Sequence, residues 1–170
     1  MIREATIQDV PAILEIYNNV IENSTAIYTY KPNTLEMQTN WFLQKEKEGY
    51  PVFVYELEGE VAGFATYYAF RAWPAYKYSV EHSIHIHPDF RRQGIASKLM
   101  PVLMNHAEEA GYKTLIAGID ASNEGSRVLH ERLGFEYIGT MKKVGYKFNQ
   151  WLDLAFYQIE FEGPKQPIEE

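Results

Sequence analysis

Residues Arg91-Arg92-Gln93-Gly94-Ile95-Ala96-Ser97 combine three properties that suit an anionic ligand. The segment follows a strand-like stretch and opens an amphipathic helix, so its backbone N–H groups lack intrahelical acceptors and the helix dipole favours negative charge. Gly94, Ala96 and Ser97 are small enough to let a diphosphate approach the main chain. Arg91, Arg92 and Lys98 add positive charge, and no acidic residue stands between Asp89 and Glu108. The turn fits neither GxGxxG nor GxxxxGK[ST], which removes support for dinucleotide-fold and P-loop readings. Two readings stay open on local physics: a phosphate-bearing ligand, or a helix start with solvated arginines.

A second chemical feature is the strand-like run Val80-Glu81-His82-Ser83-Ile84-His85-Ile86. Alternation sets Glu81, Ser83 and His85 on one face, and Val80, His82, Ile84 and Ile86 on the other. A carboxylate in a central strand needs a partner or a task, because burying it unpaired is costly. Arg71 or Lys77 could supply a salt bridge. Alternatively, Glu81 could take the proton that an ammonium group must lose before it attacks an acyl group. Arg71, between Phe70 and Ala72, could clamp a carboxylate bidentately or remain a solvated loop arginine. Further along, Asn123, Ser126 and His130 stand at i, i+3 and i+7, one helical stripe. They read either as a polar site edge or as a capping asparagine and an ordinary helix-face histidine. His85-Ile86-His87 places two metal ligands on one strand face, but no further histidine or carboxylate cluster accompanies them, so no metal is expected.

Whole-chain properties narrow the chemistry. The 170 residues suit one domain, expected over 1–162, with 163–170 a flexible acidic tail. Sixteen basic against 23 acidic residues, a net charge of −7, disfavour a nucleic-acid partner that relies on broad phosphate contact. No run approaches the roughly 18 apolar residues of a membrane span, and the start lacks a signal-like stretch, so a cytoplasmic protein is expected. The absence of cysteine removes disulfides, thiolate metal sites and a cysteine nucleophile that could carry an acyl group.

Glycine, proline and periodicity divide the chain into short elements. Ile2–Ala5 reads as a strand; the next helix carries the stripe Val10, Ile13, Leu14, Tyr17, Val20 and Ile21. A second helix is expected from Thr34 to Lys47, stopped before Gly49. Strands Val52–Leu57, Val61–Tyr68 and Ser79–His87 precede the helix after Gly94, in which Pro101 marks either a kink or the first turn. Strand Thr114–Ile119, helix Glu124–Leu133 and strands Phe135–Val144 and Trp151–Phe161 complete the chain, with Lys142, Lys143 and Lys147 on a solvated hairpin face. The order βααβββαβαββ implies an α/β architecture around a mixed, mostly antiparallel sheet, without the regular alternation of a doubly wound fold.

Arg91-x-x-Gly94-x-Ala96 resembles the [QR]-x-x-G-x-[GA] signature of the GNAT superfamily of N-acetyltransferases. Asn123-Glu124-Gly125-Ser126-Arg127-Val128-Leu129-His130, running on to Gly134-Phe135, resembles a second motif of that superfamily. Histidine at 130, where many members have tyrosine, is similar to the phosphinothricin and methionine sulfoximine N-acetyltransferase branch. Ser24-Thr25-Ala26, Val80-Glu81-His82-Ser83, Val144–Phe148 and Trp151–Leu154 point the same way, and the likeness covers about Ile2–Phe161.

The resemblance implies a GNAT fold and acetyl-CoA as co-substrate. The cofactor contacts it implies are the main chain of Ser83, Ile84, His85 and Ile86, the loop Arg91, Arg92, Gln93, Gly94, Ile95, Ala96 and Ser97, and Asn123 with Ser126. It implies Glu81 as general base and His130 as proton donor to the leaving thiolate or CoA contact. Phe70, Arg71, Ala72, Val80, Glu81, His82, Thr25 and Tyr28 would bind the acceptor. His85 departs from the branch, which usually carries tyrosine there. The implied reaction is direct acetyl transfer, in a ternary complex, to the α-amine of a small amino acid or analogue. Rival readings are a peptide N-terminus or polyamine acceptor, or a non-catalytic CoA sensor. The branch also implies a homodimer, with Tyr146–Tyr157 a candidate surface.

Overall fold

The computed structural model describes residues 1–169. Its elements run β1 (Ile2–Glu4), α1 (Val10–Asn23), α2 (Leu35–Glu48), β2 (Val52–Leu57), β3 (Glu60–Ala69), β4 (Ser79–Ile86) and α3 (Ile95–Glu109). They continue with β5 (Thr114–Asp120), α4 (Glu124–Arg132), β6 (Glu136–Lys147) and β7 (Gln150–Glu160). The order of helices and strands is the one expected from periodicity, with short 3-10 turns added at Ile7–Asp9, Pro74–Tyr76 and Pro88–Phe90. Strand order in the sheet is β1-β2-β3-β4-β5-β7-β6. The β4–β5 step is parallel, and α3 provides the crossover that a parallel pair requires.

Two compact units divide the chain: Met1–Thr66 with Ile84–Met100, and Tyr67–Ser83 with Pro101–Glu170. In the first, β1, β2 and β3 pair antiparallel. Val10, Ile13 and Ile16 of α1 pack with Phe42, Val52, Val54 and Phe64. The buried stripe of α1 thus passes through Ile16, whereas Leu14 and Tyr17 flank it half-buried. Arg3 binds both carboxylate oxygens of Asp9, at 2.8 and 2.9 Å, and Asp9 also accepts from the Thr6 N–H at 2.7 Å. This fixes the entry to α1, with Pro11 in its first turn. Thr34 caps α2 by accepting from the Met37 N–H, and Gly49 ends it at φ +76°.

In the second unit, β5 pairs with β7 and β7 with β6, both antiparallel. Pro101 sits in the interior of α3 rather than at its start, leaving the Ser97 carbonyl without an i+4 amide donor. Lys142 and Lys143 are exposed as expected, but Lys147 is buried, its ammonium 5.0 Å from the Phe148 ring centre. The β6–β7 turn runs through left-handed Phe148 and Asn149, and it sets the Phe148 ring beside the Lys147 ammonium. Part of the acidic C-terminal segment is tied down. The Ile168 N–H donates to the Tyr78 hydroxyl at 3.0 Å, and Lys77 Nζ donates to the Glu169 carbonyl at 2.9 Å.

Candidate active site

The first unit carries the basic loop. His87 Nδ1 accepts from the Asp89 N–H at 3.2 Å, closing the turn Pro88–Phe90. Arg92 (φ +62°) and Gly94 (φ +72°) both adopt the left-handed conformation just before α3. Left-handed residues in a turn of this kind can bare main-chain N–H groups to an anion. Arg91, Arg92, Gln93 and Gly94 are exposed, as are Ser97 and Lys98, and a Cβ at Gly94 would meet nothing within 4 Å. Ile95 faces the other way into the core, so only its main chain is available to a ligand. Lys98 lies over the Tyr55 ring at 5.7 Å.

His85 is buried in this unit, its ring 5.5 Å from Phe64 and 6.2 Å from Tyr17. Burial pushes its pKa down to about 4, so it stays neutral at physiological pH. Like that of Ile95, its side chain is turned away from any ligand. Ile84 and Ile86 are half-buried, and Ile86 fills the space beside Gly63. Thr25 and Tyr28 lie in the loop between α1 and α2, Thr25 half-buried and Tyr28 exposed. There Ser24 Oγ accepts from the Ala26 N–H.

In the second unit, β4 places half-buried Glu81 opposite Ile116 of β5. Its Oε2 accepts from the Tyr68 hydroxyl at 2.9 Å. Tyr68 stands at the end of β3, and neither Arg71 nor Lys77 makes that bond. Burial raises the Glu81 pKa above the ordinary carboxylate value; the Tyr68 hydrogen bond and the nearby Arg71 charge oppose the rise. A carboxylate held partly away from water, with one oxygen bonded, suits proton abstraction near neutral pH. Phe70 anchors the following loop: the Arg71 guanidinium lies 5.0 Å over its ring, and Tyr76 meets it edge-on at 5.7 Å. Arg71 and Ala72 are exposed, leaving the guanidinium edge open to solvent. Val80 is fully buried and thus packs the sheet rather than touching an acceptor with its side chain.

His82 and His130 form a buried pair with Nε2 atoms 2.9 Å apart. His130 Nδ1 lies 2.6 Å from the Ser126 carbonyl, which can only accept, so Nδ1 carries the proton. In neutral His130, Nε2 is then the acceptor, and His82 donates its Nε2–H to it. Both His130 nitrogens are therefore engaged within the protein, and burial lowers its pKa. Asn123 caps α4, its Oδ1 accepting from the Ser126 N–H at 3.1 Å, which leaves the exposed Nδ2 group to donate outward.

Residues 13–135 match the profile of the acetyltransferase (GNAT) family. The chain belongs to that family. It is 39% identical over 162 residues to the L-methionine sulfoximine/L-methionine sulfone acetyltransferase of Pseudomonas aeruginosa, covering 95% of this chain and 94% of that one. The L-amino acid N-acyltransferase of Escherichia coli is 36% identical, with 98% of this chain and 96% of that one covered. Among solved structures, a GNAT phosphinothricin acetyltransferase from Sinorhizobium meliloti in complex with AcCoA superposes with a TM-score of 0.93. It is 35% identical, over 98% of this chain and 91% of that one.

This GNAT enzyme is therefore an N-acetyltransferase that takes its acyl group from acetyl-CoA. The loop fits that co-substrate: left-handed Arg92 and Gly94 and the open space over Gly94 provide the close main-chain approach a pyrophosphate needs. Among the described residues no three His, Asp or Glu side chains converge as metal ligands. His85 and His87 part company instead, one buried in the core and the other bonded to its own turn. Tyr68 escaped the reading of the sequence. Tyr68 lies 13 residues before Glu81, and only the register of β3 against β4 brings its hydroxyl to the carboxylate.

Proposed function

We propose that this chain acetylates the α-amine of a small amino acid or analogue of the methionine sulfone, methionine sulfoximine or phosphinothricin type, by direct transfer in a ternary complex. The observation carrying this reading is the Glu81 carboxyl, raised in pKa by burial and held at Oε2 by Tyr68, with Arg71 close by. Oε1 is left to take the ammonium proton, directly or through water. Arg71 pairs with the acceptor's α-carboxylate and so presents its α-amine, rather than a side-chain amine, for attack. Backbone N–H groups of β4 polarise the thioester carbonyl. With no cysteine in the chain, no thiol carries the acetyl group between the two substrates.

Arg91–Ser97 hold the pyrophosphate through their main chain and the two arginine charges. Asn123 Nδ2 and Ser126 add CoA contacts at the start of α4. His130 keeps that start in place through its bond to the Ser126 carbonyl, and so serves the CoA site by holding it rather than as the donor to the leaving thiolate. The acting unit is a single domain over 1–162, in the cytoplasm, the compartment that holds acetyl-CoA. It works as a homodimer; exposed Tyr146, Phe148 and Trp151 supply an apolar surface of the kind interface cores favour.

The test is thiol release from acetyl-CoA with a panel of amino acids and analogues, for the wild-type protein and Glu81→Gln. Loss of the base lowers kcat/KM about 100-fold or more for every acceptor and abolishes the acid limb of the pH profile. An unchanged rate and profile overturn the assignment of Glu81.

A further inference from the structure

Gly118 lies in the middle of β5, a strand flanked on both sides, directly opposite Phe156 of β7. Glycine there weakens the strand, since it gains no packing and loses more chain entropy than any other residue. Backbone conformation does not demand it, because its φ lies outside the left-handed region occupied by six other glycines. Packing does not demand it either. A Cβ at Gly118 would make ordinary contacts, 3.5 Å to Leu154 Cδ1, 3.7 Å to Phe156 Cε1 and 3.8 Å to Glu81 Oε2. Gly63 is the contrast: a Cβ there would stand 2.6 Å from Ile86 Cδ1, so the neighbouring strand requires the glycine.

Gly118 is also exposed, between buried Ala117 and Ile119. The missing side chain therefore leaves a dent open to solvent in the sheet face, with the Glu81 carboxylate on one side and Leu154 and Phe156 on the other. Strand glycines of this kind mark places where a ligand approaches the backbone closely.

We infer that Gly118 determines acceptor specificity: the acceptor's side chain passes over it, with its first methylenes against Leu154 and Phe156. The inference rests on the reading that the acceptor amine meets Glu81, because only then does a substituent on the amine-bearing carbon fall over the dent. Arg71 on the carboxylate, Glu81 at the amine and the dent beneath the side chain are three separate points of contact. An unbranched side chain fits such a shallow depression, and branching at Cβ does not.

The test compares wild type, Gly118→Ala, Gly118→Val and Glu81→Gln, with acetyl-CoA and the acceptors glycine, L-alanine, L-methionine sulfone and phosphinothricin. Filling the dent is expected to lower kcat/KM about tenfold or more for methionine sulfone and phosphinothricin. The change should appear mainly in the acceptor KM, be larger for valine than alanine, and stay within about twofold for glycine. The KM for acetyl-CoA stays unchanged. Gly118→Ala, whose methyl the neighbours accommodate, keeps the comparison usable if Gly118→Val folds poorly. A uniform loss across all acceptors, or no loss in either variant, overturns the inference. Full activity in Glu81→Gln overturns the underlying reading instead, whatever the Gly118 variants do.

Discussion

Tyr68 donates its hydroxyl to Glu81 Oε2 at 2.9 Å, across neighbouring strands of the sheet. This one bond does two things. It fixes the rotamer of the carboxylate, and it stabilises the charged form against burial, which otherwise raises the pKa. Removing it in Tyr68→Phe raises the Glu81 pKa further, so a larger fraction is protonated at any given pH. The acid limb of kcat/KM is expected to move to higher pH, with most of the rate recovered in alkaline buffer. A shift to lower pH would show that Glu81 is not the group titrating.

Arg71 stands on a loop anchored by Phe70, with its guanidinium open to solvent. If it pairs with the acceptor carboxylate, Arg71→Gln lowers kcat/KM for amino acids about 10- to 100-fold, the range for one charge-assisted contact. A primary amine lacking the carboxylate loses far less. Steady-state kinetics on methionine sulfone and its decarboxylated analogue separate the two, and equal losses would remove Arg71 from acceptor recognition.

Gly94 adopts φ +72° with open space where a Cβ would project. Gly94→Ala therefore meets no clash within the protein and pays only the left-handed strain, about 1–2 kcal/mol. Relaxation of the turn should raise the KM for acetyl-CoA roughly 5- to 30-fold while leaving the acceptor KM nearly unchanged. An effect confined to the acceptor KM would contradict the assignment of this loop to acetyl-CoA.

The histidine pair makes a spectroscopic prediction. His130 carries its proton on Nδ1, toward the Ser126 carbonyl, while His82 carries its own on Nε2. Long-range proton–nitrogen spectra of labelled protein at neutral pH should therefore show two different neutral tautomers. Finding His130 as the Nε2–H tautomer would mean that the donor direction between the two rings is reversed.

His85 makes a prediction about acid stability. Its folded pKa of about 4 lies below the unfolded value, so below pH 6.5 the unfolded chain binds a proton that the folded chain refuses. Its neutral burial is fully favourable above pH 6.5 and becomes destabilising between 6.5 and 4. Urea titrations of wild type and His85→Phe should diverge by roughly 3 kcal/mol across that window, the variant losing less stability. Parallel curves would show that His85 does not titrate in this way.

The sequence by itself determined the order of strands and helices, because periodicity, caps and breakers are local. Thr34 and Gly49 delimit α2 by their own chemistry, and Gly94 announces the turn before α3. It also determined the family, since the loop after β4 and the stripe on α4 have motif spacings that survive without coordinates. The buried side chain of Ile16, with Leu14 and Tyr17 only half-buried, shows the limit of periodicity: neighbouring elements choose which edge of an apolar face is covered.

Pairings between distant residues belong to the tertiary structure alone. Strand register brings Tyr68 to Glu81 and sets Gly118 beside the same carboxylate, and no local rule encodes a contact 13 or 37 positions away. The fold likewise closes His82 on His130, turning two isolated histidines into one hydrogen-bonded pair with a defined proton order. Motif spacing names the groups that act; cross-strand geometry decides which of their atoms are held and which stay available for chemistry.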